Sequence, residues 1–362
     1  MDVHTTNYTL CCYSMEDDRF FAEVQVEPDA KNILKYLARI EKQQSRDCRI
    51  VCGYEAGCLG YSLYHQLHAH GIDCVILAPT TMMTKPGKRI KTDRRDARLI
   101  SKCLAFHTYS PVYIPTEVDD AVKEYIRMRD DANSALARVK QQIIAFCIRH
   151  GKIHDGKSYW TNKHLEWLSS LDLGNKILSE VLQEYLIRYY QLREQVDMYD
   201  MRINELAQAE PYRQKVEKLG CFRGIAAHTA LSFCVEVGDF RRFATAQQFA
   251  SYLGLVPGEC SSGDKQQYTG ITKAGNSHLR KLLVETAQVF GRSATKSGKS
   301  VALKERQAKC DSLTVAYADK ANARLKKKYF KIAMRSKVNI AKTAVAREMA
   351  CFIWGMMTDE IA

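Results

Sequence analysis

Four carboxylates fall at positions where metal-dependent chemistry can be built. Asp93 and Asp96 lie three residues apart at the predicted start of a helix, so both can point at one spot. Asp2 opens a predicted strand, and Glu55 directly follows another. Carboxylates that point at one another repel unless a cation joins them, and hard oxygen ligands favour Mg²⁺. Taken alone, the pair also fits a structural role, with Asp93 as helix cap and Asp96 as a favourable first-turn residue.

Basic residues surround this aspartate pair. They are Lys88, Arg89, Lys91, Arg94, Arg95 and Arg98. Positive charge beside a metal site suits a polyanionic substrate.

The elements that must position the carboxylates form an α/β region over residues 1–112. Strands are predicted at 3–14, 20–26, 49–54 and 72–78, with helices at 29–43 and 59–70 between them. Strand ends in an open α/β sheet are where sites gather. An acidic residue at each of two strand ends, with a helical pair, is the four-carboxylate pattern of RNase H-like nucleases, in which two metal ions about 4 Å apart assist phosphoryl transfer.

Two long helices are predicted to dominate residues 113–212. The first covers 117–150 and the second about 175–209, and both place apolar residues at alternating spacings of four and three. Such heptads over more than four repeats are typical of a coiled coil. The two helices can mediate oligomerisation, or can fold back on each other as an antiparallel hairpin.

Residues 213–362 are predicted to be mainly helical, with one glycine-rich loop. That loop, at 257–276, carries Ser261 and Ser262 between Gly258 and Gly263 and leads into a basic helix start. A serine in this setting can act as a nucleophile on phosphate. Serines are also common in loops for purely structural reasons.

The net charge of +13 is concentrated near the C-terminus of this 362-residue chain. Residues 270–349 contain 19 Lys and Arg against 5 Asp and Glu. This balance favours nucleic-acid binding over a merely solvated helical surface. Candidate phosphate contacts lie at the predicted start of one helix and in a basic helix predicted over 324–342; they are Lys273, Arg280, Lys281, Lys326, Lys327 and Lys328.

The 13 cysteines contain no CxxC pair. Most fall among apolar residues, where cysteine behaves as a small core residue: Cys48, Cys52, Cys74, Cys103, Cys147, Cys234 and Cys351. No signal peptide is expected from the opening residues MDVHTTNY, and no apolar run has the length of a membrane span. A reduced, cytoplasmic setting without membrane contact is expected.

Five short segments, in this order, resemble the DEDD transposases of the insertion sequence 110 family. They are MDVH at 1–4, YEAG at 54–57, KTDRRDA at 91–97, PGECSSG at 257–263 and GITKAGN at 270–276. The resemblance extends over nearly the whole chain. It implies a RuvC-like N-terminal domain (1–112), a coiled-coil linker (113–212) and a C-terminal transposase domain with a catalytic serine (213–362).

The resemblance also implies roles for individual residues. Asp2, Glu55, Asp93 and Asp96 match the acidic tetrad that binds Mg²⁺, and Ser262 best matches the serine that forms a phosphoserine link to DNA. Ser261 is the alternative if the loop aligns one residue differently. The implied partners are donor and target DNA, a structured bridge RNA that guides recombination, and further copies of the chain in a dimer or tetramer with sites shared between subunits.

Two other functions fit the same residues. A metal-dependent RuvC-like nuclease or junction resolvase would use water as the nucleophile and form no covalent intermediate. A non-catalytic nucleic-acid-binding protein would bind without Mg²⁺-dependent cleavage.

Overall fold

A three-stranded antiparallel sheet opens the chain. Its strands are β1 (Asp2–Val3), β2 (Tyr8–Ser14) and β3 (Arg19–Val26), in that order. A single strand over 3–14 was therefore a wrong prediction, because the polar residues 4–7 form a turn in which the His4 N–H donates to the Asn7 carbonyl (2.9 Å). The structure is a computed structural model and describes residues 1–43, 49–57, 59–82, 92–259, 267–292 and 298–360.

A parallel pair, β4 (Cys52–Glu55) and β5 (Cys74–Leu77), follows in the same unit. The Met1 ammonium group donates to the Gly53 carbonyl (2.7 Å), which brings the start of β1 alongside β4. Three helices flank these strands: α1 (Ala30–Gln43), α2 (Ser62–Ala69) and α3 (Asp93–Ala105). The predicted mixed α/β architecture of the N-terminal region is confirmed.

Helix α3 packs directly onto β1, β2 and β4. Its buried residues recur every three or four positions and include Ala97, Ile100 and Cys103. Gly53 permits the close approach, because a Cβ there would lie 2.8 Å from a methyl group of Leu104. The helix that carries both aspartates is thereby held against the ends of the strands that carry Asp2 and Glu55.

The second unit begins with a helical hairpin. It is formed by helices α4 (Glu117–Arg149) and α6 (Lys176–Gln208), and the short α5 (Asn162–Ser169) lies between them in sequence. Tyr125 contacts Tyr199 and Phe146 contacts Tyr185 (ring centroids 5.7 and 6.0 Å apart), so the long helices run antiparallel. Of the two predicted arrangements, the hairpin is the one present, and oligomerisation through these helices stays a prediction.

The rest of the second unit is mostly helical, as predicted. Its elements are α7 (Arg213–Gly220), α8 (Ala227–Val237), α9 (Ala246–Tyr252), β6 (Pro257–Glu259), β7 (Tyr268–Ile271), α10 (Ser277–Ala287), α11 (Val301–Gln307), α12 (Ser312–Ala333) and α13 (Val338–Met357). Their apolar faces meet in one core that contains Phe222, Phe233, Phe249 and Phe290.

The continuous basic helix predicted over 324–342 is interrupted. Helix α12 ends at Ala333 and α13 begins at Val338. The chain reverses there because both helices have an apolar face, and packing Ala321 and Leu325 with Ala341 and Val345 buries both faces in one core.

The chain divides into two units, Met1–Ile114 and Pro115–Ala362. The finer division at 1–112, 113–212 and 213–362 stays a prediction.

Ten described cysteines are free thiols. Five of those predicted to lie in a core are buried, namely Cys52, Cys74, Cys103, Cys147 and Cys234, while Cys351 is half-buried and Cys48 lies outside the described residues.

Candidate functional site

The first unit brings together Asp2 of β1, Asp93 of α3 and His4. One potential ligand atom from each side chain lies within 4.8 Å of the other two. The Nε2 atom of His4 lies 3.3 Å from Asp2 Oδ2 and 4.0 Å from Asp93 Oδ1. Residues 2 and 93 are far apart in sequence, and they meet because α3 packs on β1.

Asp2 has the features expected of a metal ligand. Its Oδ2 atom is buried and, within the described part of the chain, has no hydrogen bond of good geometry, although the His4 imidazole lies 3.3 Å away. Burial raises the pKa of the Asp2 carboxyl, the nearby His4 opposes this, and the negative charges of Asp96 and Asp93 raise the pKa further. A divalent cation would relieve both the repulsion and the unsatisfied oxygen, so these residues fit a metal site.

Asp93 and Asp96 both lie in the first turn of α3. The helix cap is Thr92, whose side chain accepts a hydrogen bond from the Arg95 N–H (3.4 Å), so the structural interpretation of Asp93 as the cap is wrong. Asp96 is close enough to Asp2 to influence its pKa. The first turn is thus the part of α3 that faces the Asp2 carboxylate.

Glu55 is the last residue of β4 and is exposed. It does not join the close group of Asp2, His4 and Asp93 among the described residues. Its strand nevertheless packs against α3 and lies beside β1. The structure therefore places Glu55 at a strand end near the cluster, and its role as a metal ligand stays a prediction.

Two of the arginines beside the aspartates serve the fold. Arg94 pairs with Glu23 of β3 (3.0 Å), and Arg98 hydrogen-bonds to the same carboxylate. The hydrogen bond from Arg98 holds the pKa of Glu23 below its usual range. These contacts hold α3 against the sheet. Arg94 and Arg98 therefore have a structural role that does not require a polyanionic substrate. Lys88, Arg89 and Lys91 lie outside the described residues.

His4 is the residue of the cluster that sequence reasoning missed. It stands two positions after Asp2, and alternate residues of an extended chain share a side of a sheet. The DxH spacing at the start of a strand is the signal that was available. An imidazole nitrogen broadens the set of divalent metals that this donor group suits beyond those that prefer oxygen alone.

Ser262 and its alternative Ser261 lie outside the described residues. The strands on either side in sequence, β6 and β7, are described and pair with each other in antiparallel register. At the base of this strand pair, the residues just before β6 lie close to the residues just after β7. A Cβ on Gly275 would lie 2.0 Å from the Tyr252 carbonyl oxygen, and both Gly254 and Gly275 have positive φ.

The predicted nucleic-acid contacts occupy different environments. Lys273, Lys281 and Lys327 are exposed, whereas Lys326 and Lys328 are half-buried. Lys328 pairs with Glu348 (2.6 Å), and Arg280 donates to the carbonyl oxygens of Leu253 and Ala274 (3.0 and 3.1 Å). The three exposed lysines are therefore the best placed of this set to contact phosphate.

Comparison with known proteins supplies the family. The model of the "Transposase IS116/IS110/IS902 family" matches residues 217–306, and a DEDD transposase model of the IS110 type matches residues 1–148. The chain is 36% identical over 307 residues to the putative transposase y4qE of Sinorhizobium fredii, a match that covers 84% of this chain and 75% of the relative.

Two further relatives are also named as transposases. The transposase for insertion sequence element IS1533 of Leptospira borgpetersenii is 32% identical over 336 residues, 91% of this chain and 94% of the relative. The transposase for insertion sequence element IS1111A of Coxiella burnetii is 26% identical over 268 residues, 70% of this chain and 71% of the relative. None of the described helices has both the length and the apolar character needed to cross a membrane. The acidic cluster thus lies in the part of the chain matched by the DEDD model, and the chain belongs to the IS110 family of insertion-sequence transposases, enzymes that cleave and recombine DNA.

Proposed function

We propose that this transposase cuts and exchanges DNA strands with Ser262 as the nucleophile, assisted by Mg²⁺ at Asp2, Glu55, Asp93 and Asp96. The observation that carries the metal part is the buried Oδ2 of Asp2, which has no hydrogen bond of good geometry and lies beside the His4 imidazole and the Asp93 carboxylate. A divalent ion bound there would supply positive charge to the phosphoryl group as it is transferred.

The residues of the chain have separate tasks in this reaction. The serine hydroxyl gives up its proton, its oxygen bonds to phosphorus, and the deoxyribose oxygen leaves as a hydroxyl. Return of that hydroxyl, or attack by one from another strand, restores the serine. Guidance by a structured RNA of the element, RuvC-like topology in the first unit, and assembly as a dimer or tetramer belong to the same proposal and are supported by the family resemblance.

The test of the serine is Ser262→Ala. The variant is expected to form no covalent protein–DNA adduct, because the attacking oxygen is absent, and to bind DNA and RNA like the wild type. Adducts are detected by denaturing electrophoresis of labelled DNA after protein denaturation. Ser261→Ala is the matched control and should retain the adduct; if the two results are exchanged, Ser261 is the nucleophile.

Cleavage without an adduct in the wild-type protein would contradict a serine nucleophile. It would instead support the metal-dependent nuclease or junction resolvase that activates water. Binding without any Mg²⁺-dependent cleavage would support the non-catalytic alternative.

The exposed lysines are expected to contact the DNA backbone. Lys281→Ala and Lys327→Ala should each weaken DNA binding irrespective of sequence and lower the slope of log K against log salt by about one. Lys328→Ala is the control, because its charge is already paired with Glu348 and its effect on the slope should be smaller. Fluorescence anisotropy across a salt series measures both quantities; equal slopes in all three variants and the wild type would contradict the assignment.

A further inference from the structure

A charged cluster in the second unit has no task in the reaction described above. It joins three helices: Asp130 of α4, Glu236 of α8 and His278 of α10. The His278 ring places Nε2 2.8 Å from Asp130 Oδ2 and Nδ1 3.0 Å from Glu236 Oε1. The side chains of His278 and Glu236 are only 18% and 5% exposed. Both ring nitrogens of this largely buried histidine therefore have hydrogen-bond partners, as buried polar groups generally do.

The geometry defines the protonation state of His278. A neutral imidazole has one N–H, and its other nitrogen would direct a lone pair at a carboxylate oxygen; only the imidazolium can donate to both. Burial alone would lower the pKa of His278, but the hydrogen bonds to Asp130 and Glu236 outweigh it and raise the pKa to about 9. His278 is therefore a cation at neutral pH.

Other charged groups complete the cluster from each adjoining helix. From α4, Arg127 pairs with Glu236 (3.0 Å) and Arg129 with Asp130 (3.1 Å). From α6, Asp200 pairs with Arg129 (2.7 Å), and from α8, the Nε2 of His228 lies 2.9 Å from Asp130. Arg127, Arg129 and a charged His278 thus face the carboxylates of Asp130, Asp200 and Glu236, with His228 beside Asp130. Loss of the His278 proton removes one positive charge from this group of carboxylates.

Glu236 extends the cluster to the base of the β6–β7 pair. Its second oxygen accepts a hydrogen bond from Asn276 Nδ2 (2.7 Å), and Asn276 also caps α10 by accepting from the Leu279 N–H (3.0 Å). The hydroxyl of Tyr252 donates to the Glu236 carbonyl (3.4 Å). Glu236 thus ties the segment before α10 to α8 through its carboxylate, and the end of α9 to α8 through its main-chain carbonyl.

Backbone hydrogen bonds carry this connection to the strands. Thr272 N–H donates to Val256 (2.9 Å), Lys273 N–H to Gly254 (3.1 Å) and Asn276 N–H to Tyr252 (3.0 Å). These bonds join the residues just before β6 to those just after β7. The base of the strand pair therefore rests on Asn276 and Glu236, and through Glu236 on His278.

We propose that His278 is a positioning residue, which as an imidazolium bridge between α4 and α8 fixes the orientation of the β6–β7 pair for strand cleavage. The link to cleavage rests on the proposed serine chemistry, because Ser262 lies between these strands in sequence. The bridge itself, formed by the hydrogen bonds of His278 to Asp130 and Glu236, is inferred only from contacts within the second unit. His278 does not touch the reacting atoms in this proposal; it acts through Glu236 and Asn276.

The test compares His278→Gln with the full-length wild type. Loss of the bridge should speed hydrogen exchange of the Thr272, Lys273 and Asn276 amides at least about tenfold, while DNA affinity changes less than about twofold. The rate of single-turnover cleavage should fall at least about tenfold, because a displacement of about 1 Å is enough for such a loss. His150→Gln removes an exposed histidine of the same unit and is the matched control.

A conservative variant and a pH series separate positioning from a general structural role. His278→Lys keeps the cation and should recover part of the cleavage rate and of the exchange protection that His278→Gln loses. In the wild type, protection of the three amides, corrected for intrinsic exchange, should be greatest below about pH 6.5, the ordinary pKa of histidine. It should decline progressively as the pH rises from there to about 9, the raised pKa of His278, and level off above that. This wild-type series remains decisive if His278→Gln does not fold.

The outcomes separate this proposal from the serine mechanism. Suppose that Ser262→Ala still forms an adduct, whereas His278→Gln speeds hydrogen exchange of the three amides and slows cleavage. The assignment of Ser262 as nucleophile is then wrong, and the positioning role of His278 is supported. Unchanged exchange in a folded His278→Gln variant, or wild-type protection that does not decline between about pH 6.5 and 9, overturns the bridge regardless of the nucleophile.

Discussion

Asp2→Asn is expected to reduce Mg²⁺-dependent DNA cleavage by at least about 10²-fold, the size of effect seen when one stabilising group is removed from a transition state. The change keeps the size of the side chain but removes the negative charge of a carboxylate whose buried Oδ2 has no hydrogen bond of good geometry. Cleavage of a labelled DNA substrate over a Mg²⁺ series measures the effect. Asp17→Asn, in the turn between β2 and β3, is the matched control and should cleave normally.

The same variant has a second readout that does not depend on activity. Because the pKa of Asp2 is raised, its charged form opposes folding at neutral pH, and Asp2→Asn should slightly raise the melting temperature without metal. Mg²⁺ at ten times its dissociation constant should stabilise the wild type by about 1.4 kcal/mol and leave the variant unchanged. An equal Mg²⁺-induced shift in both proteins would show that the ion binds elsewhere.

Gly275→Ala is expected to destabilise the second unit by about 3 kcal/mol or more, through backbone strain and steric overlap. Gly275 has a φ of +70°, where a Cβ costs roughly 1–2 kcal/mol, and the added atom would lie 2.0 Å from the carbonyl oxygen of Tyr252. That carbonyl accepts the Asn276 N–H, so relief of the overlap would break the base of the β6–β7 pair.

Gly270→Ala provides the control for this prediction. It lies in β7, has no unusual φ, and a Cβ there would meet nothing within 4 Å. Its effect should be below about 1 kcal/mol, the range of strand propensities. Chemical denaturation followed by circular dichroism compares the two variants, and equal losses of stability would contradict the steric argument.

The acidic pair was predictable from sequence because its geometry is local. Asp93 and Asp96 sit one turn apart, and the apolar spacing of Ala97, Ile100 and Cys103 fixes which side of α3 faces the sheet. The identity of the cap was harder, since Thr92 and Asp93 are both good capping residues and only the extended backbone of Thr92 decides between them.

Contacts between distant residues were not predictable. The pairing of Arg94 and Arg98 with Glu23 depends on how α3 lies across β3, which no local pattern encodes. The bridge from Asp130 to His278 spans 148 residues and three helices. The break between α12 and α13 was hidden for a related reason, because burial of two apolar faces outweighed an uninterrupted helical pattern.

The buried cysteines allow transient opening of each unit to be detected by chemical labelling. Burial raises the thiol pKa of Cys52 and Cys74 in the first unit to about 11 and about 12, and those of Cys221 and Cys234 in the second to about 12. At neutral pH roughly one in 10⁴ or fewer of these groups is a thiolate, the form that alkylating reagents attack. Labelling followed by peptide mass spectrometry therefore records separately when the unit that carries the acidic site and the unit that carries the β6–β7 pair expose their interiors, without any engineered probe.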